Sequence, residues 1–412
     1  MIKLFSEIQD VKVSEKSIYK IIYQYGPITK NGILNHFQSS LTTISRFIDN
    51  LEKNGLIQID NKATAGGRNP IEYAINPDAY YSFGAYISAD VYGIGLCDIA
   101  GNIVDKTNCL FHKKTTPAEV ADFFAQFVSH VVTNYNLDTE KILGIGVSVE
   151  GPILKEKGIL YHPYHLTGPG WELVPIKDLI EMKTGYTTRL DCIVETALLS
   201  ELVFGPHKGC PSAAYLRIDK GIGCAIYLNG ALGIGSEDFA YSLGHSVIDF
   251  KGKPCFCGRR GCLETYGSMD AIVAGIHTIK PEIHDQTVAD EPCGGDKIWE
   301  CSPILRSVET YQSSDDPQLK VYFDELVEAF AIAISNFLYF TRPHTVFLTG
   351  RTVQQLPFVF ERVIERIQQE YHRNPVEESQ LIRSDLNDEL IIKGSSFLVF
   401  NNYLQYFGKN IL

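Results

Sequence analysis

Apolar positions near the N-terminus recur with helical spacing. In SEKSIYKIIYQYGP they fall at Ile18, Ile21, Ile22 and Tyr25 on one face, and Gly26-Pro27 ends the run. ITKNGILNHFQSS predicts a short second helix with Ile33, Leu34 and Phe37 turned inward. SSLTTISRFIDNLEKNGLIQID predicts a third, capped by Ser39 or Ser40 and stopped at Asn54-Gly55. Ile44, Phe47, Ile48 and Leu51 form its apolar stripe, while Thr42, Thr43, Arg46, Asn50 and Lys53 point the other way. Two β-prone runs, LIQID and IEYAI, flank the polar turn NKATAGGRNP, a hairpin with a Gly-rich tip. Three helices followed by such a wing make a winged helix-turn-helix over residues 1–80. In that arrangement Ser40, Thr42, Thr43 and Arg46 face the major groove of DNA, and Arg68 at the wing tip enters the adjacent minor groove. Modules of this shape also bind proteins. The small polar and basic outer face of the third helix favours DNA.

Beyond residue 80 the pattern alternates between strands and helices. YYSFGAYISADVYGIGLCDIAGNIV predicts two strands joined by a turn, and TPAEVADFFAQFVSHVVTNY an amphipathic helix. ILGIGVSVEGPIL reads as a buried strand ending in a Gly-Pro turn. SAAYLRIDKGIGCAIYLNG repeats the strand–Gly turn–strand unit. LKVYFDELVEAFAIAISNFLYFTRP is a long apolar helix, with HTVFLTG a buried strand after it. Such units, repeated in two halves and separated by helices, predict a two-lobed α/β body with mixed sheets over residues 81–412.

Composition narrows the class. The chain has 412 residues, 45% of them hydrophobic and 21% charged, which is globular and long enough for two or three domains. The N-terminus lacks the apolar core of a signal peptide and no run approaches a membrane span, so a soluble, cytoplasmic protein with no membrane partner is expected. The net charge of −12 argues against nucleic-acid binding by the chain as a whole. Its distribution changes that picture. Residues 1–80 carry nine Lys/Arg and eight Asp/Glu, so the acidity belongs to the body. A near-neutral reading module implies affinity that depends on two copies.

The order of GVSVEGPI, GPGW, KGIGCAIYLNG, LGHSVIDFKGKPCFCGRRGCLE and FLTG resembles the ROK family of repressors and sugar kinases. The Cys-rich segment matches that family's motif GHxxxxxxGxxCxCGxxGCLE, and with the winged helix and the GGRxP wing the resemblance covers nearly the whole chain. It implies an actin/hexokinase-like two-lobed body.

Of ten cysteines, seven are scattered, mostly in apolar runs; Cys255, Cys257 and Cys262 are clustered, with His245 ten residues upstream of the first. Three thiols and an imidazole at this spacing can surround one ion tetrahedrally, the preference of structural zinc. The four match the family's zinc positions. With all four places filled by protein, the Zn2+ is structural, not catalytic.

The same resemblance supplies a test for kinase activity. The family's DxGGT phosphate loop corresponds to Tyr86, Ser88, Ala89 and Asp90. Its NDAN motif, bearing the general base, corresponds to Cys192 and Ile193, with Asp191 two residues off. Its second phosphate turn, GTGIG, reads DKGIG, with Asp219 and Lys220 in place of Gly-Thr. All three depart, so no kinase activity is expected. In the sugar site the family's GExGH reads YSLGH, with Ser242 replacing a carboxylate. His245 and Glu264 remain, and His165 stands near a further contact position. The resemblance therefore implies a repressor that binds a palindromic operator as a homodimer or homotetramer. It implies an effector, a sugar or sugar phosphate, held by His165, Ser242, His245 and Glu264. A body that senses a partner protein is one alternative, and a sugar kinase of the family with an added N-terminal module, which the three lost motifs oppose, is the other.

Overall fold

The computed structural model describes residues 13–60, 70–233, 243–281, 316–370, 379–385 and 387–404. Arg68 and Ser242 lie outside them.

The N-terminal module contains helices α1 (Val13–Tyr25), α2 (Lys30–Leu34) and α3 (Leu41–Lys53). Strands β1 (Ile28–Thr29), β2 (Ile57–Ile59) and β3 (Glu72–Ile75) form an antiparallel sheet in the order β1-β3-β2. Helix α3 buries Ile44, Phe47, Ile48 and Leu51 as its periodicity requires, and Ser40 caps it by accepting from the Thr43 N–H. Helix α1 departs from expectation. Tyr25 is 45% exposed and stacks on His36, whereas Tyr19 and Tyr23 are buried. The reason is a second buried face. Ile18 and Ile22 join the core of the module, and Tyr23 packs on Phe397 of the body.

The body begins with a meander, β4 (Tyr81–Ile87), β5 (Val91–Asp98) and β6 (Ile103–Leu110). Two strands were expected there. The third is an edge strand whose residues are mostly half-buried, so its apolar signal is weak. After α4 (Pro117–Asn134), β7 (Ile142–Val149) returns parallel to β4. A small hairpin, β8 (Ile153–Leu154) and β9 (Ile159–Leu160), precedes α5 (Ile176–Thr184), and β10 (Thr188–Cys192) completes the order β10-β7-β4-β5-β6.

Helix α6 (Ile193–Val203) leads into a second sheet. It contains β11 (Ala213–Ile218), β12 (Ile222–Leu228), β13 (Ala231–Leu232), β14 (Thr345–Thr349) and β15 (Gln380–Arg383). The order β13-β12-β11-β14-β15 repeats that of the first sheet: a meander, then two parallel strands added on the other side. The body is thus two copies of one topology, and the β4–β5 and β11–β12 turns face each other across a cleft.

The C-terminal helix Asp388–Leu404 crosses the first sheet so closely that side chains are excluded beneath it. A Cβ on Gly84 would lie 1.9 Å from the Ile392 carbonyl oxygen, and one on Gly146 only 1.7 Å from that of Ser395. Ser148, Thr196 and Ser395 share a buried hydroxyl cluster at the same crossing. No described helix is long and apolar enough to cross a membrane.

Candidate functional site

The cleft holds a cavity of about 350 Å³ between the two lobes. Its walls come from the end of β7, the start of α6, the β11–β12 turn and the cysteine loop. Val149, Pro152, Ile193, Val194 and Ile222 make most of it apolar, and Tyr164 lies against Phe256 with ring centroids 4.0 Å apart. Three of the four expected effector residues line this cavity: His165, His245 and Glu264. The fourth, Ser242, lies outside the described residues.

Glu264 opens a one-turn helix after the cysteine loop, and its Oε2 accepts the Ile222 N–H at 3.0 Å. Its other oxygen is 3.9 Å from His165 Nε2. Gly244 leaves room for this carboxylate: a Cβ there would lie 2.0 Å from it and 2.9 Å from the Ile222 carbonyl oxygen. Burial pushes the Glu264 carboxyl up to about 7.

His245, Cys255, Cys257 and Cys262 converge beside the cavity, with ligand atoms all within 4.8 Å of one another. His245 Nδ1 is 3.6 Å from Cys255 Sγ, and Cys257 Sγ is 3.6 Å from Cys262 Sγ. A tetrahedron of Zn–S bonds of about 2.3 Å has edges of about 3.8 Å, so the set is the size such an ion needs. Burial and the Arg259 charge lower the His245 pKa, which favours the neutral imidazole that a ligand needs. Burial opposes ionisation of Cys257, yet hydrogen bonds from the Arg259 backbone and side chain bring it down to about 7. The loop closes through Cys255 N–H to the Arg259 carbonyl (2.8 Å) and turns at Gly261, whose φ is +70°. These residues can hold a metal ion. His245 faces both the ion position and the cavity.

Opposite the cysteines, the turns flagged by sequence carry a chain of ion pairs from one lobe to the other. On the first lobe, Ser88 donates to Glu150 Oε2 at 2.6 Å, and the Ala89 N–H donates to the same oxygen. Glu150 lies 3.4 Å from Arg217, which also reaches Asp219. The Arg351 Nε–H is shared by both Asp219 carboxylate oxygens, at 2.9 and 3.0 Å, and Arg351 Nη2 donates to Oδ1 as well. Arg351 reaches back to Asp90 at 2.7 Å, and Asp90 pairs with Lys220. Burial alone would raise the Asp219 carboxyl; Arg351 and Arg217 hold it well below the usual carboxylate range. Arg217 and Arg351 were not singled out in the sequence. Arg351 lies 132 residues from Asp219 and further still from Asp90, so no local pattern exposes the pairing.

Ile193 occupies the cavity wall where a base would stand. Asp191 is turned away, accepting the Cys192 N–H at 2.7 Å and pairing with Lys155 at 2.8 Å. Glu264 does not pair with the neighbouring arginines of its loop in the described contacts; its partners are Ile222 and His165.

In the winged helix, Thr42 and Arg46 are exposed on the outer face of α3, with the Arg46 guanidinium 5.1 Å from the Phe47 ring centroid. Ser40 and Thr43 bond each other, Oγ to Oγ1 at 2.9 Å, as part of the cap. Asn50, expected to point outward, instead donates to the Glu15 carboxylate of α1 at 3.1 Å. That bond fixes the α1–α3 angle and removes Asn50 from the outer face.

A duplicated two-lobed body with a cavity at the lobe junction, carrying a winged helix at one end, is an actin-like fold joined to a reading module. The chain belongs to the ROK family, whose model matches residues 89–401; a MarR family model matches residues 14–59. It is 24% identical over 395 residues to the xylose repressor of Bacillus subtilis strain 168, covering 95% of this chain and 96% of that one. It is 23% identical over 286 residues to the DNA-binding transcriptional dual regulator NagC of Escherichia coli K12, covering 68% and 69%. Among solved structures it is similar to a ROK family transcriptional regulator described as a homologue of the E. coli MLC protein. That likeness has a TM-score of 0.73 and 18% identity, and covers 97% of this chain and 98% of that one. A ROK hexokinase from Thermus thermophilus matches 78% of this chain, with a TM-score of 0.63 and 20% identity.

Proposed function

We propose that this protein is a DNA-binding transcriptional repressor that responds to a sugar and has no kinase activity. The observation that carries the reading is the pairing of a winged helix with a body whose phosphate turns are closed by its own ion pairs. Asp90, Asp219, Lys220 and Arg351 fill the ground between the lobes with side chains, where a nucleotide-binding body keeps small residues and free amides. Ile193 has no proton-accepting atom. Repressors among the relatives, similar over almost the full chain, support the same conclusion.

Residues 1–80 act as the DNA module and residues 81–412 as the effector and oligomerisation body. Thr42 and Arg46 on the exposed face of α3 read the major groove, Ser40 and Thr43 set the helix start against the backbone, and Arg68 enters the minor groove. The chain works as a homodimer or homotetramer, so that two modules meet the halves of a palindrome. His165, Ser242, His245 and Glu264 contact the effector. His245, Cys255, Cys257 and Cys262 hold a structural Zn2+, which fixes the loop carrying Phe256 and Glu264 against the cavity.

Selection of bound sequences from random duplex DNA by the full-length protein tests this. An inverted repeat enriched by the native chain, and lost with Arg46→Glu, is expected. Enrichment of no sequence would make the winged helix a protein-binding module and turn the search to partners of the body.

A further inference from the structure

The cleft pocket belongs to the effector site proposed above, and its charge arrangement narrows what fits. Among its described lining residues Arg217 is the one Lys or Arg, and it is already shared by Glu150 and Asp219. Two further cations described in the cleft, Lys220 and Arg351, are held by Asp90 and Asp219. Among the described residues these three cations meet three carboxylates, Glu150, Asp219 and Asp90, and Arg259 of the cysteine loop is turned to Cys257. His162 lies on the rim but pairs with Glu172 at 2.9 Å. The positive end of α6 points at the cavity; Asp191 accepts the N–H of Cys192 just before it, Glu195 stands in its first turn, and the one ammonium beside them, Lys155, is held by both carboxylates.

What does face inward is suited to hydroxyls and C–H groups. The Glu150 and Glu264 carboxylates accept from hydroxyl donors, and Ile193, Val194 and the Tyr164–Phe256 pair offer apolar surface for the flat face of a ring. A phosphate dianion needs several charge-assisted donors and would find carboxylates instead.

We infer that the pocket takes an uncharged, unphosphorylated sugar ring and rejects phosphorylated sugars, because the chain's own ion pairs occupy the phosphate side of the cleft. This rests on the effector-site reading above.

Two arms test it with the full-length, zinc-loaded protein. In the first, thermal shift and calorimetry compare matched pairs at equal ionic strength: D-glucose, D-mannose and N-acetyl-D-glucosamine against their 6-phosphates, together with D-xylose. Any sugar that stabilises the fold is expected to bind at least tenfold more tightly than its phosphate. A phosphate that binds as well or better overturns the inference. If no sugar binds, the effector reading itself falls and this inference with it, a result distinct from the first. In the second arm the probe is inorganic phosphate, with Asp90→Asn as the variant. Asp90 is one-third exposed on a turn, so the change frees Lys220 and part of Arg351 without emptying the core. Phosphate is expected to stabilise the variant and leave the native chain unshifted. Equal stabilisation of both, or of neither, shows that the ion pairs do not stand in the phosphate position.

Discussion

Asp219→Ala is the sharpest test of the cleft ion pairs. Asp219 is fully buried and receives hydrogen bonds from Arg351, Arg217 and the Lys220 N–H. Its removal leaves Arg217 and Arg351, whose side chains are 5% and 6% exposed, short of a carboxylate. Arg351 retains Asp90 at 2.7 Å, but Arg217 retains only Glu150 at 3.4 Å. Leaving a buried charge uncompensated costs about 3–5 kcal/mol. Lys220→Ala breaks a pair whose partners are 28% and 32% exposed, and solvent screening limits that loss to about 1 kcal/mol or less. Equilibrium urea unfolding of the full chain, with zinc present, measures both. The double variant Asp219→Ala/Arg351→Met should recover part of the loss, because it removes a stranded charge together with its partner. The pH dependence carries a sign. The Asp219 pKa is depressed in the folded state, so its contribution is complete above about pH 5 and fades as pH falls through the folded value. The gap between native chain and variant should therefore be flat from about pH 5 to 8 and narrow in acid. An Asp219→Ala cost no larger than that of Lys220→Ala would refute the reasoning.

Other expectations follow from single contacts. Cys257→Ser should lower bound zinc and the melting temperature together, and unchanged metal content would refute the four-ligand set. Gly146→Val should destabilise by at least about 3 kcal/mol, since its Cβ would lie 1.7 Å from the Ser395 carbonyl oxygen; a soluble, native-like melt would show that the C-terminal helix can lift away. Asn50→Ala should lower stability by about 1–2 kcal/mol through the lost Glu15 contact, while Arg46→Ala weakens operator binding and leaves the melt unchanged. Arg68→Ala should weaken binding most at operators with AT-rich flanks, read by gel shift on paired probes.

Much of the architecture was legible because period and turn chemistry agree locally. The stripe of α3, the paired strand–turn–strand units and the cysteine loop each announce themselves within 25 residues. The edge strand β6 did not, because an edge buries little and alternates weakly. Tyr19 and Tyr23 were missed because a helix that packs on two sides breaks the one-face pattern on which periodicity depends. At the site, sequence marked Asp90 and Asp219 as carboxylates hostile to phosphate, and Lys220 as a departure in the same turn. It did not reveal that they neutralise one another through Arg351, whose role depends on a contact across 132 residues. Asn50 shows the converse error: an outward-facing polar residue on a recognition helix had a structural partner on α1.

The joint at α1 bears on how DNA is measured. Tyr23 stacks toward Phe397, its hydroxyl donates to the Ile99 carbonyl at 2.8 Å, and Lys208 donates to its own carbonyl at the same distance. Phe397 also meets Phe204, just past the end of α6, the helix whose first residues wall the cavity. The reading head is therefore bolted to the frame rather than hung from a tether. In a dimer, such heads behave as the two points of a calliper. One extra base pair between half-sites moves the second by about 3.4 Å and about 35° around the axis, a displacement that a string would absorb and a bolt does not.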